Sequence, residues 1–461
     1  MQSLYFLYLW ALICPQIYLD MMKRLFLLPC LLLTVVTAFA QDNTQLVSGP
    51  MVGYCEMREA LLWAQTNGPA RVYFKYFTAA GDTFVTDAYQ TRSSEGYVAR
   101  LVANQVQPGT TYGYQVFVDG NEVKRTYALQ FKTPPLWQYR TDPPAMKIAM
   151  GSCVYINDER YDRPGKPYGA DYRIFESIHK TKPDLMLWLG DNVYYREADW
   201  YSRTGMVHRN THTRATKEMQ ALLASTANYA IWDDHDFGPN DSDRTFRDKE
   251  VARELFSYFW GNPSYGVPGL DGGITTTFEW GDAQFFLLDD RYFRDPNNLK
   301  SGKRAILGEA QMDWFLHALA SSTATFKVVC VGGQFLNTFP GYENFAAIAP
   351  EERQRIIDFI GVEQIRNVVF LTGDRHHSEL SVIEKNGVKI YDFTVSPLTS
   401  GPHATPDEAN ALRVPGSHVG IRNFGTMEIS GPRLARKFKL ALFDTDGKPL
   451  WSQEFEADHR K

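Results

Sequence analysis

The predicted fold of this chain follows from one stretch, Asp184-Leu-Met-Leu-Trp-Leu-Gly-Asp-Asn-Val-Tyr-Tyr195. Its first half is a short apolar run, which is typical of a buried strand in an α/β sheet. The run ends at Gly190, and Asp191 is the next residue. Because open α/β sheets bind ligands at the carboxyl ends of their strands, we expect the oxygens of Asp191 and Tyr194 to turn onto one ligand centre.

Three further apolar runs end in the same way. The polar clusters that follow them are Gly151-Ser-Cys153, Trp232-Asp-Asp-His-Asp-Phe-Gly238 and Thr372-Gly-Asp-Arg-His-His-Ser378. A Gly-Asp pair after a strand is more often a turn or a helix cap than a functional site. Four such clusters in one α/β region are difficult to explain as turns alone. We therefore predict a metal cluster at the edge of a sheet, built to handle a phosphate.

Composition and the N-terminal sequence indicate an exported protein. The 461-residue chain carries a formal net charge of −5, whereas a dedicated nucleic-acid binder would have a basic excess, so no nucleic-acid-binding surface is expected. Residues 21–40 show the cationic start, apolar core and small-x-small cleavage pattern of a secretory signal, with residues 1–20 as an upstream extension. The apolar core is short for a membrane span. We expect a periplasmic or extracellular protein with no stable membrane span in its mature chain.

Two structural domains are predicted after this leader. Residues 41–142 contain short strands and turns, and a Pro-Gly-Thr turn before Tyr112 resembles the tyrosine corner of fibronectin type III-like and immunoglobulin-like β-sandwiches. Residues 143–461 alternate between strand and helix patterns, which predicts a mixed α/β sandwich of two sheets with helices outside. The segments 197–214 and 397–417 carry no readable pattern and are expected to be outer loops.

The side chains in the four clusters narrow the choice of metal. Cysteine and tyrosine act as thiolate and phenolate ligands only beside a strongly acidic cation, and Fe³⁺ is the common partner of a phenolate oxygen. The carboxylates of Asp191, Asp234 and Asp374 suit hard divalent ions such as Ca²⁺, Mg²⁺ or Mn²⁺. A zinc site with four thiolates is excluded by the small number of cysteines.

Taken together, the motifs resemble those of the alkaline phosphatase D (PhoD-like) family of calcineurin-like metallophosphoesterases. The resemblance is carried by Gly151-Ser-Cys153, Gly190-Asp-Asn-Val-Tyr194, Trp232-Asp-Asp-His235 and Thr372-Gly-Asp-Arg-His376, in that order. It implies a four-layer αββα sandwich preceded by a β-sandwich. It also implies one iron with one or two calcium ions.

The resemblance further implies a role for individual metal ligands. Cys153, Asp191 and Tyr194 match the iron ligands of the family, and Asp191 would be shared with calcium. Asp234 and Asp374 resemble further calcium ligands. His376 falls where the wider superfamily ends its metal-binding Gly-His-x-His motif.

A mechanism follows from the need to bring hydroxide to an anionic ester. Metal ions would neutralise the phosphate and deliver a hydroxide, and protonated His235 would meet the charge of the leaving group. Arg291 would clamp a phosphate oxygen, and Asn192 would touch the substrate. The alternatives are that His235 orients Asp234, that Arg291 forms a structural ion pair with Asp289 or Asp290, and that Asn192 caps a loop.

Three functions stay open at this point. The first is an exported phosphoester hydrolase acting on a small-molecule or polymeric phosphoester. The second is a phosphodiesterase specialised for phospholipid or teichoic-acid-like diesters. The third is a non-catalytic β-sandwich protein whose α/β region only binds.

Overall fold

The computed structural model describes residues 45–459, in which the strands form three sheets. The strands in chain order are β1 (Leu46–Cys55), β2 (Ala60–Thr66), β3 (Arg71–Phe77), β4 (Thr83–Val85), β5 (Tyr89–Gln90), β6 (Val98–Ala103), β7 (Thr111–Val118), β8 (Asn121–Glu122), β9 (Gln130–Lys132), β10 (Met146–Gly151), β11 (Leu185–Leu189), β12 (Ala227–Ile231), β13 (Thr276–Trp280), β14 (Ala283–Leu287), β15 (Phe326–Cys330), β16 (Val368–Thr372), β17 (Glu379–Lys385), β18 (Val388–Thr394), β19 (Asn423–Ser430), β20 (Lys437–Asp444) and β21 (Pro449–Glu456). The α-helices are α1 (Ile174–Lys180), α2 (Arg203–Arg214), α3 (Gln220–Ser225), α4 (Asp234–Phe237), α5 (Lys249–Phe259), α6 (Glu309–Ser321), α7 (Phe345–Ile348) and α8 (Pro350–Val362).

Two large sheets face each other across the central core. One has nine strands in the order β21-β20-β19-β10-β11-β12-β1-β2-β6, and the other has six in the order β13-β14-β15-β16-β18-β17. Strand β11 shows how the sequence specifies this packing, because successive side chains of a strand point to opposite faces. Leu185, Leu187 and Leu189 lie in the core between the sheets, whereas Met186 and Trp188 pack against the outer helices.

The second sheet is covered by helices in the same way. Phe286, Val329 and Phe370 on its outer face pack with Phe315 of α6 and Ile356 of α8. The order of layers is therefore helix, sheet, sheet, helix, and the predicted mixed α/β sandwich is confirmed. The parallel pairings of β10 with β11 and of β11 with β12 bring three polar strand ends to one edge.

The N-terminal strands are shared between two sheets. Strand β1 pairs in parallel with β12 through Val52 and Ala227, so β1, β2 and β6 extend the nine-stranded sheet. The remaining strands, β3, β4, β5, β7, β8 and β9, form a separate sheet. The hydroxyl of Tyr112 accepts a hydrogen bond from the backbone N–H of Gln107 at 2.8 Å, as the tyrosine-corner pattern predicts. A separate β-sandwich over residues 41–142 stays a prediction.

One segment expected to be a loop contains a helix. Within residues 197–214, helix α2 begins after Ser202, whose hydroxyl accepts a hydrogen bond from the backbone N–H of Gly205. The buried side of α2 is cationic: Arg209 pairs with Asp199 at 3.0 Å, and the guanidinium of Arg214 lies 3.5 Å from the ring centroid of Trp260. The helix was missed because its buried face is mostly polar or charged, with Met206 as its one apolar side chain.

The predicted leader, residues 1–40, lies outside the described residues. Across residues 45–459, the structure contains no helix with the length and apolarity needed to cross a bilayer.

We predict that the buried ion pair between Arg436 and Asp282 stabilises the contact between the start of β20 and the turn that joins β13 to β14. Arg436 donates to Asp282 at 2.9 Å and to the carbonyls of Gly431 and Pro144, and both side chains are almost fully buried. Arg436→Met should lower the free energy of unfolding by about 3–5 kcal/mol, because it leaves a buried carboxylate unpaired. Urea denaturation followed by circular dichroism measures the loss.

The adjacent residue supplies the control. Lys437 pairs with Glu454 at 2.8 Å, but the two side chains are 42% and 51% exposed. Lys437→Met should therefore change the free energy of unfolding by less than about 1 kcal/mol. Equal losses in the two variants would contradict the assignment of a stabilising role to the buried pair.

Candidate metal centre

The four predicted clusters meet where strands of both large sheets end. Cys153 follows β10, Asp191 follows β11, and Asp234 begins α4 directly after β12. From the second sheet, Asp374 and His376 follow β16. The apolar strands thus end in polar side chains at a common edge, as the sequence predicts.

The backbone at these residues is unusual. Cys153, Asp191, Asp374 and His376 have φ values of 62°, 52°, 65° and 55°, which lie in the left-handed region that L-residues rarely occupy. Each such residue costs on the order of 1 kcal/mol, and residues of this kind concentrate at functional sites. Gly373 also packs tightly, since a Cβ atom there would lie 2.6 Å from the Cβ of Ser152. The fold therefore accepts local strain to direct these side chains inward.

A thiol, a phenol and an imidazole surround one carboxylate of the centre. The Oδ2 atom of Asp191 lies 3.6 Å from Cys153 Sγ and 3.0 Å from the hydroxyl of Tyr194. The same hydroxyl lies 3.2 Å from His376 Nε2. His376 Nδ1 lies 2.7 Å from the carbonyl oxygen of Gly401, which must accept a hydrogen from it. This bond favours the tautomer that leaves Nε2 free to accept a proton or bind a cation.

The carboxylates form the other part of the centre. Ligand atoms within 4.8 Å of one another occur in the groups Cys153–Asp191–His376, Asp191–Asp234–His235, Asp233–Asp234–Asp374 and Asp234–Asp241–Glu343. Asp191 and Asp234 each belong to more than one group, so either can bridge two ions. The centre opens into a cavity of about 680 Å³, which we call the ligand cleft; its walls include Asp191, Asp234, His235, Asp374 and His376.

Burial and mutual repulsion disfavour negative charge at most of these groups. Burial, followed by the charges of Asp234 and other neighbouring carboxylates, raises the pKa of Asp191 well above its usual value. The same two causes raise the pKa of Asp374 to about 7. Burial, together with the charges of Asp191 and nearby groups, also raises the pKa values of the Cys153 thiol and the Tyr194 phenol. Burial lowers the pKa of His376 to about 3.

Asp234 is the exception. Its burial favours the protonated form, yet the charges of His235 and Arg291 outweigh that effect and hold its pKa below the ordinary value.

The donor set fits metal cations. Carboxylate, phenol and thiol groups become strong ligands once a cation replaces their protons. Among the described residues, Asp233 Oδ2 and His235 Nδ1 are buried atoms without a hydrogen-bond partner. Buried polar atoms are costly when unpaired, so a cation between these groups would relieve both the repulsion and the unmet bonding.

The structure favours a structural role for Arg291 over the predicted clamping of a substrate. Its guanidinium is fully buried and pairs with Asp233 and, at 3.0 Å, with Glu343. The alternative of a structural ion pair is therefore the better one, although its partners are not Asp289 or Asp290. The partners Asp233 and Glu343 could not be predicted from the sequence, because they lie on other segments of the chain.

The structure also shows what the side chains of Asn192 and His235 contact. Asn192 donates from Nδ2 to the carbonyl oxygen of Ile231 at 2.7 Å, which supports a loop-capping role over substrate contact. His235 does line the ligand cleft, and its ring lies 4.2 Å from that of Tyr194. Burial lowers its pKa despite the neighbouring charge of Asp234. Burial thus favours the neutral imidazole and the charge of Asp234 favours the protonated one, so a protonated His235 that meets the leaving group stays a prediction.

Two residues of the centre were not anticipated. Asp241 and Glu343 approach Asp234, and both have positive φ values, of 61° and 50°. Neither follows a strand, so the strand-end pattern could not locate them.

We predict that Asp374 makes the metal-free protein less stable as the pH rises. The pKa of an aspartate is near 3.9 when unfolded, whereas that of Asp374 is about 7 when folded, so the folded state holds the proton more tightly between these values. Stability should fall as the pH rises through this window. At pH 8, Asp374→Asn should raise the free energy of unfolding of the metal-free protein by about 2–4 kcal/mol, with little effect at pH 4.

The check is thermal and denaturant unfolding after chelation, at pH 4 and pH 8. Exposed Asp271 provides the control, and Asp271→Asn should leave stability unchanged at both values. A destabilised Asp374→Asn protein at pH 8 would show that the carboxylate is not repelled by its neighbours.

Comparisons with known proteins agree with this geometry. A family model described as PhoD-like phosphatase matches residues 152–433, and one described as a domain of unknown function (DUF7800) matches residues 43–136. Alkaline phosphatase D of Bacillus subtilis (strain 168) is 26% identical in an alignment 386 residues long. The match covers 69% of this chain and 63% of the relative, which is less than two thirds of the relative's length.

Solved structures give the same fold. A structure of PhoD matches with a TM-score of 0.70 and 19% identity over 90% of this chain and 92% of that one. A purple acid phosphatase from yellow lupin (Lupinus luteus) seeds matches with a TM-score of 0.64 and 11% identity over 89% of this chain and 75% of that one. Because the PhoD-like family model spans more than half of the sequence and contains the whole centre, the chain belongs to the PhoD-like phosphatase family.

Proposed function

We propose that the protein is an exported, metal-dependent phosphoester hydrolase. The observation that supports this most strongly is the convergence on one centre, from strand ends of two sheets, of Cys153, Asp191, Tyr194, Asp234 and Asp374. The family relationship supports the same reaction, since the matched curated relative is an alkaline phosphatase. Export is part of the proposal and depends on the signal pattern in residues 21–40.

Particular residues would hold the metal ions. Cys153, Asp191 and Tyr194 would hold Fe³⁺, since a phenol and a thiol lie on either side of one carboxylate. Asp191, Asp234 and Asp374 would hold one or two Ca²⁺ ions. When bound, such cations neutralise phosphate oxygens and make water a better nucleophile at neutral pH. His376 contacts Tyr194 and would complete or orient the iron ligands.

The chain's own groups have separate tasks in this proposal. Asp234 stays ionised in this proposal because the charge of Arg291 and a hydrogen bond from the backbone N–H of Asp241 favour its carboxylate form, so it keeps a negative charge in the cleft. Neutral His235 lines the cleft, and its Nδ1 has no partner among residues 45–459. It can therefore accept a proton from water or hydrogen-bond to a phosphate oxygen. Arg291 acts indirectly, because its ion pairs with Asp233 and Glu343 fix two neighbours of Asp234.

We expect purified protein to hydrolyse 4-nitrophenyl phosphate or bis(4-nitrophenyl) phosphate when supplied with iron and Ca²⁺, and to lose that activity on chelation. The ratio of the two rates ranks monoester against diester chemistry. Asp374→Asn should lower kcat by about 100-fold or more, because loss of a metal ligand removes both ion and charge. Elemental analysis of the loaded protein measures the metal content directly.

Tyr194 gives a spectroscopic test of the iron assignment. A phenolate bound to Fe³⁺ absorbs visible light, so Tyr194→Phe should remove the visible band as well as the activity. The matched control is Tyr114→Phe, which removes another buried tyrosine hydroxyl, bonded to the carbonyl oxygen of Ala224. This control should keep the band. A band that persists in Tyr194→Phe would show that Tyr194 does not bind iron.

A further inference from the structure

A second cavity adjoins the ligand cleft. It has a volume of about 380 Å³, and we call it the side cavity; its walls include Tyr155, Lys166, Tyr168, Arg196 and Trp200. Tyr168, His235 and Asn240 line both cavities, so the two spaces meet at these residues. A phosphoester whose phosphate lies in the ligand cleft would therefore have room for its leaving group in the side cavity.

The side cavity has an unusual arginine. The side chain of Arg196 is only 9% exposed, yet its Nε atom has no hydrogen-bond partner among the described residues. The nearest carboxylate oxygen, Oε2 of Glu197, lies 3.7 Å from Nε, which is beyond hydrogen-bond distance. A buried guanidinium with unmet donors is costly, and an anion is the group that would satisfy it.

The carboxylates around Arg196 do not cancel its positive charge, because each of them is paired with another group. Glu197 accepts two hydrogen bonds from Arg163, the shorter at 2.7 Å, so Arg163 already compensates the charge of Glu197. Asp162, which also lines the side cavity, faces the guanidinium of Arg209 at 3.8 Å and accepts hydrogen bonds from the hydroxyl of Tyr155 at 2.7 Å and from the backbone N–H of Asp158 at 2.8 Å. Within residues 45–459, exposed Lys166 makes no hydrogen bond or ion pair, so Arg196 and Lys166 leave the cavity with uncompensated positive charge.

Aromatic rings connect this charge to the ligand cleft. The guanidinium of Arg196 lies 5.7 Å from the ring centroid of Tyr155, and that ring lies 5.1 Å from Tyr194 and 5.0 Å from Tyr168. The hydroxyl of Tyr168 in turn lies 3.1 Å from His376 Nδ1. The space between cation and centre is thus walled by flat apolar faces, which suit a ring or a short carbon chain.

We infer that the side cavity binds a second anionic group, a carboxylate or a phosphate on the leaving group of the substrate, through Arg196 and Lys166. The inference builds on the proposed hydrolase function and specifies the substrate class. The anion at Arg196 takes no part in the bond cleavage. It sets which esters are held with their phosphate in the ligand cleft.

A matched pair of substrates tests this inference. 4-Carboxyphenyl phosphate and 4-carbamoylphenyl phosphate have the same size and differ by one negative charge on the leaving group. The metal-loaded protein should hydrolyse the carboxylate with about tenfold higher kcat/KM, the effect expected of one charge-assisted hydrogen bond. Arg196→Met and Lys166→Met should each reduce that ratio, and Arg196→Lys should restore part of it. Exposed Lys217, which lines neither cavity, gives the control Lys217→Met with an unchanged ratio.

Binding measurements separate this inference from the proposed function. The corresponding phosphonates, (4-carboxyphenyl)phosphonate and (4-carbamoylphenyl)phosphonate, cannot be hydrolysed, and calorimetry gives their affinities. A preference for the carboxylate that is lost in the Arg196 and Lys166 variants supports the inference, whether or not the esters are turned over. If neither ester is hydrolysed, that result contradicts only the hydrolase proposal and leaves the inference about the side cavity standing. Equal affinities for the two phosphonates, or a preference that survives both substitutions, would overturn the inference.

Discussion

The crowding of buried acidic groups around the ligand cleft is the constraint on which the rest of the structure depends. Asp191, Asp234 and Asp374 are buried together, and their mutual repulsion opposes folding whenever all are ionised. The two-sheet core has to offset that repulsion, and Arg291 compensates part of it by pairing with Asp233 and Glu343. Bound cations would compensate the rest, so metal affinity and folding stability would be linked.

The backbone conformation fixes the positions of these acidic side chains. A residue with positive φ directly after a strand reverses the chain sharply, and both Asp191 and Asp374 use this turn. Each turn is held between neighbours: a Cβ at Gly190, before Asp191, would lie 2.8 Å from the Cβ of Asp233, and one at Gly373, before Asp374, would lie 2.7 Å from the carbonyl oxygen of Leu189. Because rigid strands fix both sides, the ligands are positioned before any ion binds.

Local patterns made the centre predictable, and long-range contacts made its surroundings unpredictable. Cys153 and Asp191 were found because an apolar run followed by a polar cluster is visible within a dozen residues. The ion pair of Arg291 with Glu343 was not predicted, because Glu343 is distant in sequence. Helix α2 was missed because its buried face carries Arg209 and Arg214 and only one apolar side chain, that of Met206. The sharing of one sheet by β1 and β12 depends on pairing that no local pattern encodes.

In the two proposals taken together, the cavities divide recognition from chemistry. The ligand cleft is acidic and would repel an anionic ester until cations are bound, whereas Arg196 and Lys166 would attract an anion in either state. The separation is not complete, because Tyr168, His235 and Asn240 line both cavities. A leaving group held in the side cavity would therefore lie beside His235, so an anion at Arg196 would also fix the orientation in which the ester presents its phosphate to the centre.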